Sequence, residues 1–140
     1  MTWAKPLAGA VAALLLALPL ASSAGTLADC PATPNCVSSL ATDPAKQVAP
    51  LQAGTSAEEA RARLVAVLAE QPRVVWRELD TRLIHAEFTT RILRFTDDVH
   101  FLIGDDGTIQ VRSASRVGHS DLGTNRRRVE TLRDALDAAR

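Results

Sequence analysis

The chain of 140 residues is poor in the side chains on which nucleic-acid-binding proteins rely. It has two Trp, three Phe and no Tyr, and its 16 Lys and Arg side chains are balanced by 16 Asp and Glu. A neutral chain creates no overall field that would draw it to a polyanion, and the low aromatic content points the same way. Nucleic acid is therefore not an expected partner.

Several catalytic motifs are also missing from the sequence. It has no nucleophile elbow, no phosphate-binding loop and no H-E-x-x-H metalloprotease motif, each of which sets its reactive groups at a fixed spacing. Its serines show no recognisable arrangement with triad partners. We therefore expect no cofactor, and an enzyme of unknown reaction is the less favoured interpretation.

The sequence contains two cysteines, Cys30 and Cys36, which begin and end the segment C-P-A-T-P-N-C. The spacing is not C-x-x-C, and no second pair exists to complete a zinc site. In an oxidising compartment an even pair at short spacing favours a disulfide, which would stabilise the fold by roughly 2 kcal/mol. Two free thiols, or a metal-binding or redox role, are the alternatives.

The amino terminus has the layout of a secretory signal peptide over residues 1–24. Lys5 supplies a positive charge, an apolar stretch at 7–20 follows, and small residues end at Ala24. This stretch is shorter than the run of about 20 apolar residues that favours a membrane anchor, and Pro19 interrupts it, so cleavage is favoured over anchoring. We expect an exported protein, periplasmic or secreted, with no membrane span after cleavage.

Composition and periodicity organise the rest of the chain. Residues 25–54 are rich in Pro, Ala, Thr, Ser and Gly and predict an extended arm, whereas 55–140 predict a domain of helices and strands. Ser56 and Glu59 form a capping box that starts the first helix, and Ser120 or Asp121 starts the second. The predicted order is helix, four strands, helix, at 57–71, 73–79, 83–91, 98–104, 108–115 and 123–139.

The turn between the last two strands can be placed from their apolar faces. A three-residue loop at 105–107 sets Phe101 opposite Val111, whereas a two-residue turn would set it opposite Arg112 and mix the faces. The longer loop needs glycine in the left-handed third position, and Gly107 occupies that position. We therefore predict the longer loop.

The order of elements predicts the fold class. Strands joined by short links favour an antiparallel meander, and its apolar face needs the two amphipathic helices as cover. We predict an α+β fold in two layers, a four-stranded antiparallel meander with two helices on one face.

The other face of the predicted sheet is polar. The register places on it His85, Glu87, Asp98, His100, Arg112 and Arg116. Arginine presents a fork of donors suited to carboxylate or phosphate, so this face is a candidate anion-binding or acid–base site. The alternative is a solvated face laced with ion pairs worth about 0–1 kcal/mol each. His85, Glu87 and His100 suit a metal by residue type, but two histidines on a polar face are common, and we expect no metal.

Three stretches of the sequence carry a family resemblance. They are C-P-A-T-P-N-C-V-S-S at 30–39, F-T-D-D-V-H-F at 95–101 and R-S-A-S-R-V-G-H-S-D-L-G-T-N-R-R-R-V-E at 112–130. In these motifs the chain resembles the domain of unknown function DUF1499, whose members are often exported or membrane-tethered and have no established activity. The chain departs from the family pattern at His100, where glutamate is usual, and at His119, where an aromatic residue is common.

The resemblance directs attention to the second and third of these stretches, at 95–101 and 112–130. Together with the strand register it yields a hypothesis about the function. We expect a non-enzymatic domain that binds an anionic small molecule or an acidic partner segment at the junction of the last strand and last helix. The candidate residues are Arg112 and Arg116 as binding groups, Asp98 to orient them, Asp121 and Asn125 in the closing turn, and Ser113, Ser115 and Arg126. The alternative is a structural or assembly module of the cell envelope, in which the same arginines form internal salt bridges.

Overall fold

The computed structural model describes residues 25–140, and the predicted signal peptide at 1–24 lies outside the described residues. The elements, in chain order, are β1 (Cys36–Ser38), β2 (Leu51–Gln52), α1 (Ala57–Glu70), β3 (Val74–Glu78), β4 (Leu83–Thr89), β5 (Thr96–Ile103), β6 (Thr108–Ser115) and α2 (Thr124–Ala138). The predicted order of helix, four strands and helix over 57–139 is therefore present, with two further short strands before it.

The sheet has six antiparallel strands rather than the predicted four. The meander β3–β4–β5–β6 is continued at its β6 edge by β1, and β2 pairs with another part of β6. Both added strands come from the segment predicted to be an extended arm. They arise because the outer edge of β6 would otherwise present a row of unpaired backbone groups, which folded proteins cover or blunt.

The register of β5 and β6 agrees with the prediction. Phe101 lies opposite Val111 and His100 opposite Arg112. The connecting loop is the three-residue type, closed by the Gly104 N–H to the Thr108 carbonyl at 2.8 Å. Gly107 has φ 80°, the left-handed conformation that this loop requires.

One core joins both helices to the same face of the sheet. Its helical members are Ala60, Leu64, Val67 and Leu68 from α1 and Val129, Leu132 and Leu136 from α2, and its sheet members include Ile84, Val99, Phe101, Ile109 and Val111. The spacing of the α2 residues is the amphipathic stripe expected of a helix with one buried face. Leu122 lies outside this stripe and is exposed, because α2 begins only at Thr124.

The capping box of α1 forms with one difference from expectation. Ser56 Oγ accepts from the Glu59 N–H at 3.2 Å, while the Glu59 carboxylate reaches back to the N–H of Thr55 at 2.9 Å. The helix ends at Glu70, before Pro72.

The first described residues, 25–30, cross the outer face of the sheet, and we call them the strap. At its start, a Cβ on Gly25 would lie 2.9 Å from Leu83, whose side chain is on that face. At its end, Cys30 forms a disulfide with Cys36, which confirms the predicted pairing. The face expected to be open is therefore partly covered. Neither of the two helices described within 25–140 is long and apolar enough to cross a bilayer.

Candidate functional site

Two polar clusters lie back to back on the sheet, and neighbouring residues of β5 begin each of them. Side chains alternate between faces along a strand, so Asp98 points to the outer face while Asp97 points to the face that carries the helices. Both are in contact with an arginine, Asp98 with Arg116 and Asp97 with Arg128. The sequence-based hypothesis had gathered residues of both clusters into one site.

The outer cluster is a network of ion pairs that spans three strands. Arg116 donates two hydrogen bonds of 2.8 Å to the Asp98 carboxylate and lies 2.8 Å from Glu87. His85 is buried, and its Nε2 lies 2.7 Å from Asp98 Oδ1. The ring of His85 stacks on that of His100 at 4.6 Å between centroids. Arg116 is thus occupied by two internal carboxylates.

The electrostatics of this cluster follow from those contacts. Hydrogen bonds from the Arg116 guanidinium, together with the bond to His85, lower the pKa of Asp98 to about 2 against the opposing effect of burial. Burial, with the nearby charges of His85 and Arg112, lowers the pKa of His100. The cluster therefore holds an ionised Asp98 beside a His100 that favours its neutral form.

Three side chains of the outer cluster are the candidate metal ligands in the described part of the chain. His85, Glu87 and Asp98 each offer an atom within 4.8 Å of the others. His100, expected by residue type to join such a site, stacks on His85 instead. The Arg116 guanidinium already donates to both carboxylates, so a cation there would have to displace it.

Arg112 and Arg126 are held by different parts of the arm. Arg112 donates to the backbone carbonyl of Asp29 in the strap at 3.4 Å, while its buried Nε–H has no partner among the described residues. Burial lowers the pKa of Arg112. Arg126 donates to the carbonyls of Gln47 and Ala45 at 2.9 and 2.8 Å, so it fastens α2 to the arm.

The inner cluster is organised around Asn125, which is fully buried at the start of α2. Its Oδ1 accepts from Ser113 Oγ at 2.7 Å and from Arg128 Nη1 at 2.6 Å. Its Nδ2 lies within 3.2 Å of three acceptors, the Asn35 carbonyl, Ser115 Oγ and Asp121 Oδ2. The amide thereby ties the last strand, the following turn and the arm to the helix.

Arg128 and Asp97 form a buried ion pair beside Asn125. Their side chains are 9% and 3% exposed, and Arg128 also donates to Ser113 Oγ at 3.1 Å. The guanidinium carbon lies 5.0 Å from the centre of the Phe88 ring, within the range of a cation–π contact. Both charges are thus satisfied inside the protein.

Asp121 fixes the turn that precedes α2. Its carboxylate accepts from the N–H groups of Gly123 and Asn125, each at 2.9 Å. Burial opposes ionisation of Asp121, but these backbone hydrogen bonds outweigh it and lower the pKa. Asp121 therefore acts as the start signal expected for this helix, although Gly123 is the residue at the cap position.

The turn fixed by Asp121 and the loop at 90–95 form the two walls of a cleft of about 820 Å³. The walls present large apolar side chains, Ile92, Leu93 and Phe95 from one loop and Val117 and Leu122 from the other. Asp97 and Ser115 of the inner cluster also line the cleft. Contiguous exposed apolar surface of this kind marks sites of interaction.

Backbone strain is concentrated around this cleft. Within 25–140, three non-glycine residues have positive φ, namely Arg73 (57°), Arg94 (56°) and Leu122 (51°). Arg94 belongs to the first cleft loop, Leu122 to the second, and Arg73 lines an adjoining depression. A left-handed leucine costs roughly 1–2 kcal/mol, and such strain tends to cluster at functional sites.

Among the described residues, three arginines in or beside the cleft are free of ion pairs. Arg91 and Arg94 are exposed on either side of Ile92 and Leu93, and neither forms a salt bridge. Arg127 lines the cleft and donates to the Leu122 carbonyl at 2.8 Å. The accessible charge here is therefore positive.

The eight residues proposed from the sequence fall into three places. Asp98, Arg112 and Arg116 are on the outer face; Ser113, Ser115, Asp121 and Asn125 are in or beside the inner cluster; Arg126 contacts the arm. Of these, Ser115 and Asp121 line the cleft. Sequence reasoning missed the cleft loop at 90–95, whose signal was an Ile-Leu pair between two arginines in a predicted inter-strand region.

Fold and site together define a small α+β domain with an apolar, arginine-bordered cleft beside a buried polar network. The chain belongs to the family described as "Protein of unknown function (DUF1499)", whose model matches residues 26–136. The matched region contains all six strands, α1 and all of α2 except its last two residues. A comparison with curated proteins gave no match.

Proposed function

We propose that the protein is a non-enzymatic binding module that holds an anionic amphiphile in the cleft between the 90–95 loop and the 117–122 turn. The observation that carries this proposal is the set of exposed apolar side chains that line the cleft. Ile92 and Leu122 are 85% and 84% exposed, and neither contributes to the core. Natural folds rarely leave such residues grouped around a concave surface without a partner.

The size and chemistry of the cleft suit a small amphiphilic ligand. Its volume of about 820 Å³ lies within the roughly 300–1,000 Å³ of typical ligand sites. Each buried methylene of an alkyl chain would contribute about 0.8 kcal/mol. An aliphatic chain lying in the cleft would therefore strengthen binding with each methylene that it buries.

The arginines around the cleft favour an acidic head group. Arg91, Arg94 and Arg127 form no salt bridge with an internal carboxylate, whereas Asp97 is paired with Arg128 and Asp121 accepts hydrogen bonds from backbone N–H groups. Guanidinium groups form strong charge-assisted hydrogen bonds with carboxylate and phosphate. This retains the anionic ligand expected from the sequence but moves its binding groups to other arginines.

The proposal includes export of the protein to an oxidising compartment. The Cys30–Cys36 disulfide supports it, since such bonds persist mainly outside the reducing cytosol. In that compartment the protein would carry or sense a lipid-like acid. A structural module of the cell envelope is the alternative that the binding experiment below addresses.

Titration with a soluble anionic amphiphile tests the proposal. We expect the mature chain to enhance the fluorescence of anilinonaphthalene sulfonate, and we expect laurate below its critical micelle concentration to displace the dye. Leu93→Ser should weaken binding at least tenfold, because it removes a wall of the cleft. Val75→Ser is the matched control, since Val75 is 72% exposed on β3. Equal binding by both variants would favour the structural alternative.

Arg112 offers a second candidate anion site on the outer face. Its buried Nε–H lacks a partner among residues 25–140, and burying an unsatisfied donor costs about 1–3 kcal/mol. Thermal-shift titration with inorganic phosphate checks this candidate. Stabilisation that survives in Leu93→Ser and disappears in Arg112→Met would support it, and no shift in the unaltered protein would contradict it.

A further inference from the structure

We infer that the tips of the two cleft loops dock on the surface of an anionic lipid bilayer, so that the cleft opens toward the membrane from which its ligand comes. This inference rests on the proposed function, because it names the source of the amphiphile. The docking surface consists of Arg91, Ile92, Leu93 and Arg94 on one loop and Val117 and Leu122 on the other.

The apolar side chains of this surface project away from the protein. Ile92, Leu93 and Leu122 are 85%, 66% and 84% exposed, and they belong to two separate loops that line one cleft. Side chains in this position can enter the boundary between head groups and acyl chains without unfolding any element. Shallow insertion of this kind is how peripheral proteins bury apolar residues in membranes.

The charge of the two loops matches an anionic surface. The segments 90–95 and 116–123 contain Arg91, Arg94 and Arg116, and their single acid is Asp121. Arg116 is already paired with Asp98 and Glu87, which leaves Arg91 and Arg94 available. The carboxylate of Asp121 accepts from the N–H groups at the start of α2, whose partial positive charge offsets part of its repulsion toward lipid phosphates.

Both loops are held in shape before they meet a membrane. Thr90 closes the first loop, since its N–H donates to the Phe95 carbonyl at 2.8 Å and its Oγ1 accepts from the Phe95 N–H at 2.9 Å. In the second loop, Arg127 donates to the Leu122 carbonyl. A surface that is ordered in advance loses less conformational entropy on binding.

A bilayer fits this surface better than a second copy of the chain. Self-association would bring Arg91 and Arg94 of two molecules together, and like charges in contact oppose association. A bilayer instead supplies phosphate groups for the arginines and, just below them, acyl chains for the apolar tips. It also supplies the class of molecule that the cleft is proposed to hold.

Vesicle sedimentation tests the inference on the mature, disulfide-bonded chain. We expect binding to vesicles of phosphatidylglycerol and phosphatidylcholine, much weaker binding to phosphatidylcholine alone, and a steep loss with added salt. Arg91→Ala with Arg94→Ala should weaken binding about 30-fold, since each arginine near an anionic surface contributes about fivefold. Ile92→Ser with Leu93→Ser should weaken it at any salt concentration.

Two matched variants separate docking from general surface changes. Val75→Ser removes an exposed apolar side chain elsewhere, and Arg140→Ala removes an exposed arginine at the far end of α2; both should bind vesicles as the unaltered protein does. Thermal melts confirm that all variants are folded, which is expected for exposed loop residues. Equal binding to neutral and anionic vesicles, or equal losses in the control variants, would overturn the inference.

Failure of the docking inference can be distinguished from failure of the proposed function. If laurate displaces the dye but the protein does not sediment with anionic vesicles, the cleft binds its ligand from solution and the docking inference is wrong. If neither occurs, both fail. Sedimentation without vesicles checks self-association, and a dimer that Ile92→Ser with Leu93→Ser dissociates would show that a second copy covers this surface instead.

Discussion

Asp97 and Asp98 are neighbours in sequence, each contacts an arginine, and the two pairs belong to opposite environments. Asp97 and Arg128 are enclosed between the sheet and α2, whereas Asp98 and Arg116 lie on the outer face with the arginine side chain 44% exposed. A surface pair contributes little because water screens it. A buried pair tolerates no change to one partner, because the remaining charge is then left in a medium of low polarity.

This difference separates the residues that hold the structure of the 112–130 stretch from the residues that remain available for binding. In the inner cluster, Asn125, Asp97 and Arg128 hold the turn before α2. This turn forms one wall of the cleft. The outer cluster also consists of ion pairs and hydrogen bonds, but its residues do not line this cleft. Side chains of the most polar stretch of the sequence therefore serve mainly to position the apolar residues beside it.

The largest expected effect comes from breaking the inner pair. Asp97→Ala should lower the free energy of unfolding by about 3–5 kcal/mol, because it leaves the Arg128 guanidinium buried without a counter-ion. Asp98→Ala is the matched control on the other face and should cost only about 1 kcal/mol. Urea denaturation of both variants measures the difference. Equal losses would show that the two environments do not differ as described.

Loss of the disulfide should have the next largest effect. Cys30→Ala with Cys36→Ala should destabilise the protein by about 2 kcal/mol, as expected for a short closed loop, and should free the strap from the outer face. Denaturation with and without reductant checks the first part on the unaltered chain. Faster limited proteolysis within residues 25–30 checks the second. An unchanged midpoint on reduction would contradict the stabilising role.

A smaller effect is expected from the outer pair, and it depends on pH. The pKa of Asp98 is lowered to about 2 from an ordinary value of 3.8, so its contribution is complete above the ordinary value and disappears as pH falls toward 2. Asp98→Asn should therefore cost about 1 kcal/mol at pH 6 and almost nothing at pH 2. Urea denaturation at a series of pH values follows the two curves as they converge. Curves that stay parallel would exclude this linkage.

The smallest effect should be of opposite sign. Leu122→Gly relieves a left-handed leucine, and after the entropy cost of glycine the protein should gain about 0.5 kcal/mol. Binding of the amphiphile should nevertheless weaken several-fold, because a wall of the cleft is lost. Leu122→Ala separates the two effects, since it should lose binding without gaining stability. A glycine variant that binds normally would show that Leu122 is not part of the site.

The central architecture could be predicted from the sequence because its signals are local. Alternation of apolar residues and the position of Gly107 were enough to align Phe101 with Val111. The capping box at Ser56 likewise marked the start of α1. The short strands β1 and β2 have three and two residues, which is too short for any periodic pattern. Their pairing depends on the free edge of β6, which sequence alone does not show.

The candidate site was less predictable, because it depends on how separate elements meet. Asn125 was expected to cap or close a turn, but the rotation of α2 against the sheet places its amide at the centre of the inner cluster. The 90–95 loop lies mostly between the predicted strands, which end at 91 and resume at 98, so the sequence assigned Ile92 and Leu93 no role. Their exposure becomes visible only when the hairpin is closed by Thr90.

Asn35 gives the binding site a place in the order of folding. Its side chain donates to the Gly118 carbonyl at 2.7 Å across 83 positions of sequence, and its carbonyl accepts from the Ser115 N–H at 3.0 Å. During synthesis from the amino terminus, this contact therefore cannot form until almost the whole chain has been made. Contacts between distant positions slow folding, so the cleft should be among the last features to form, and chains truncated before Gly118 should lack it.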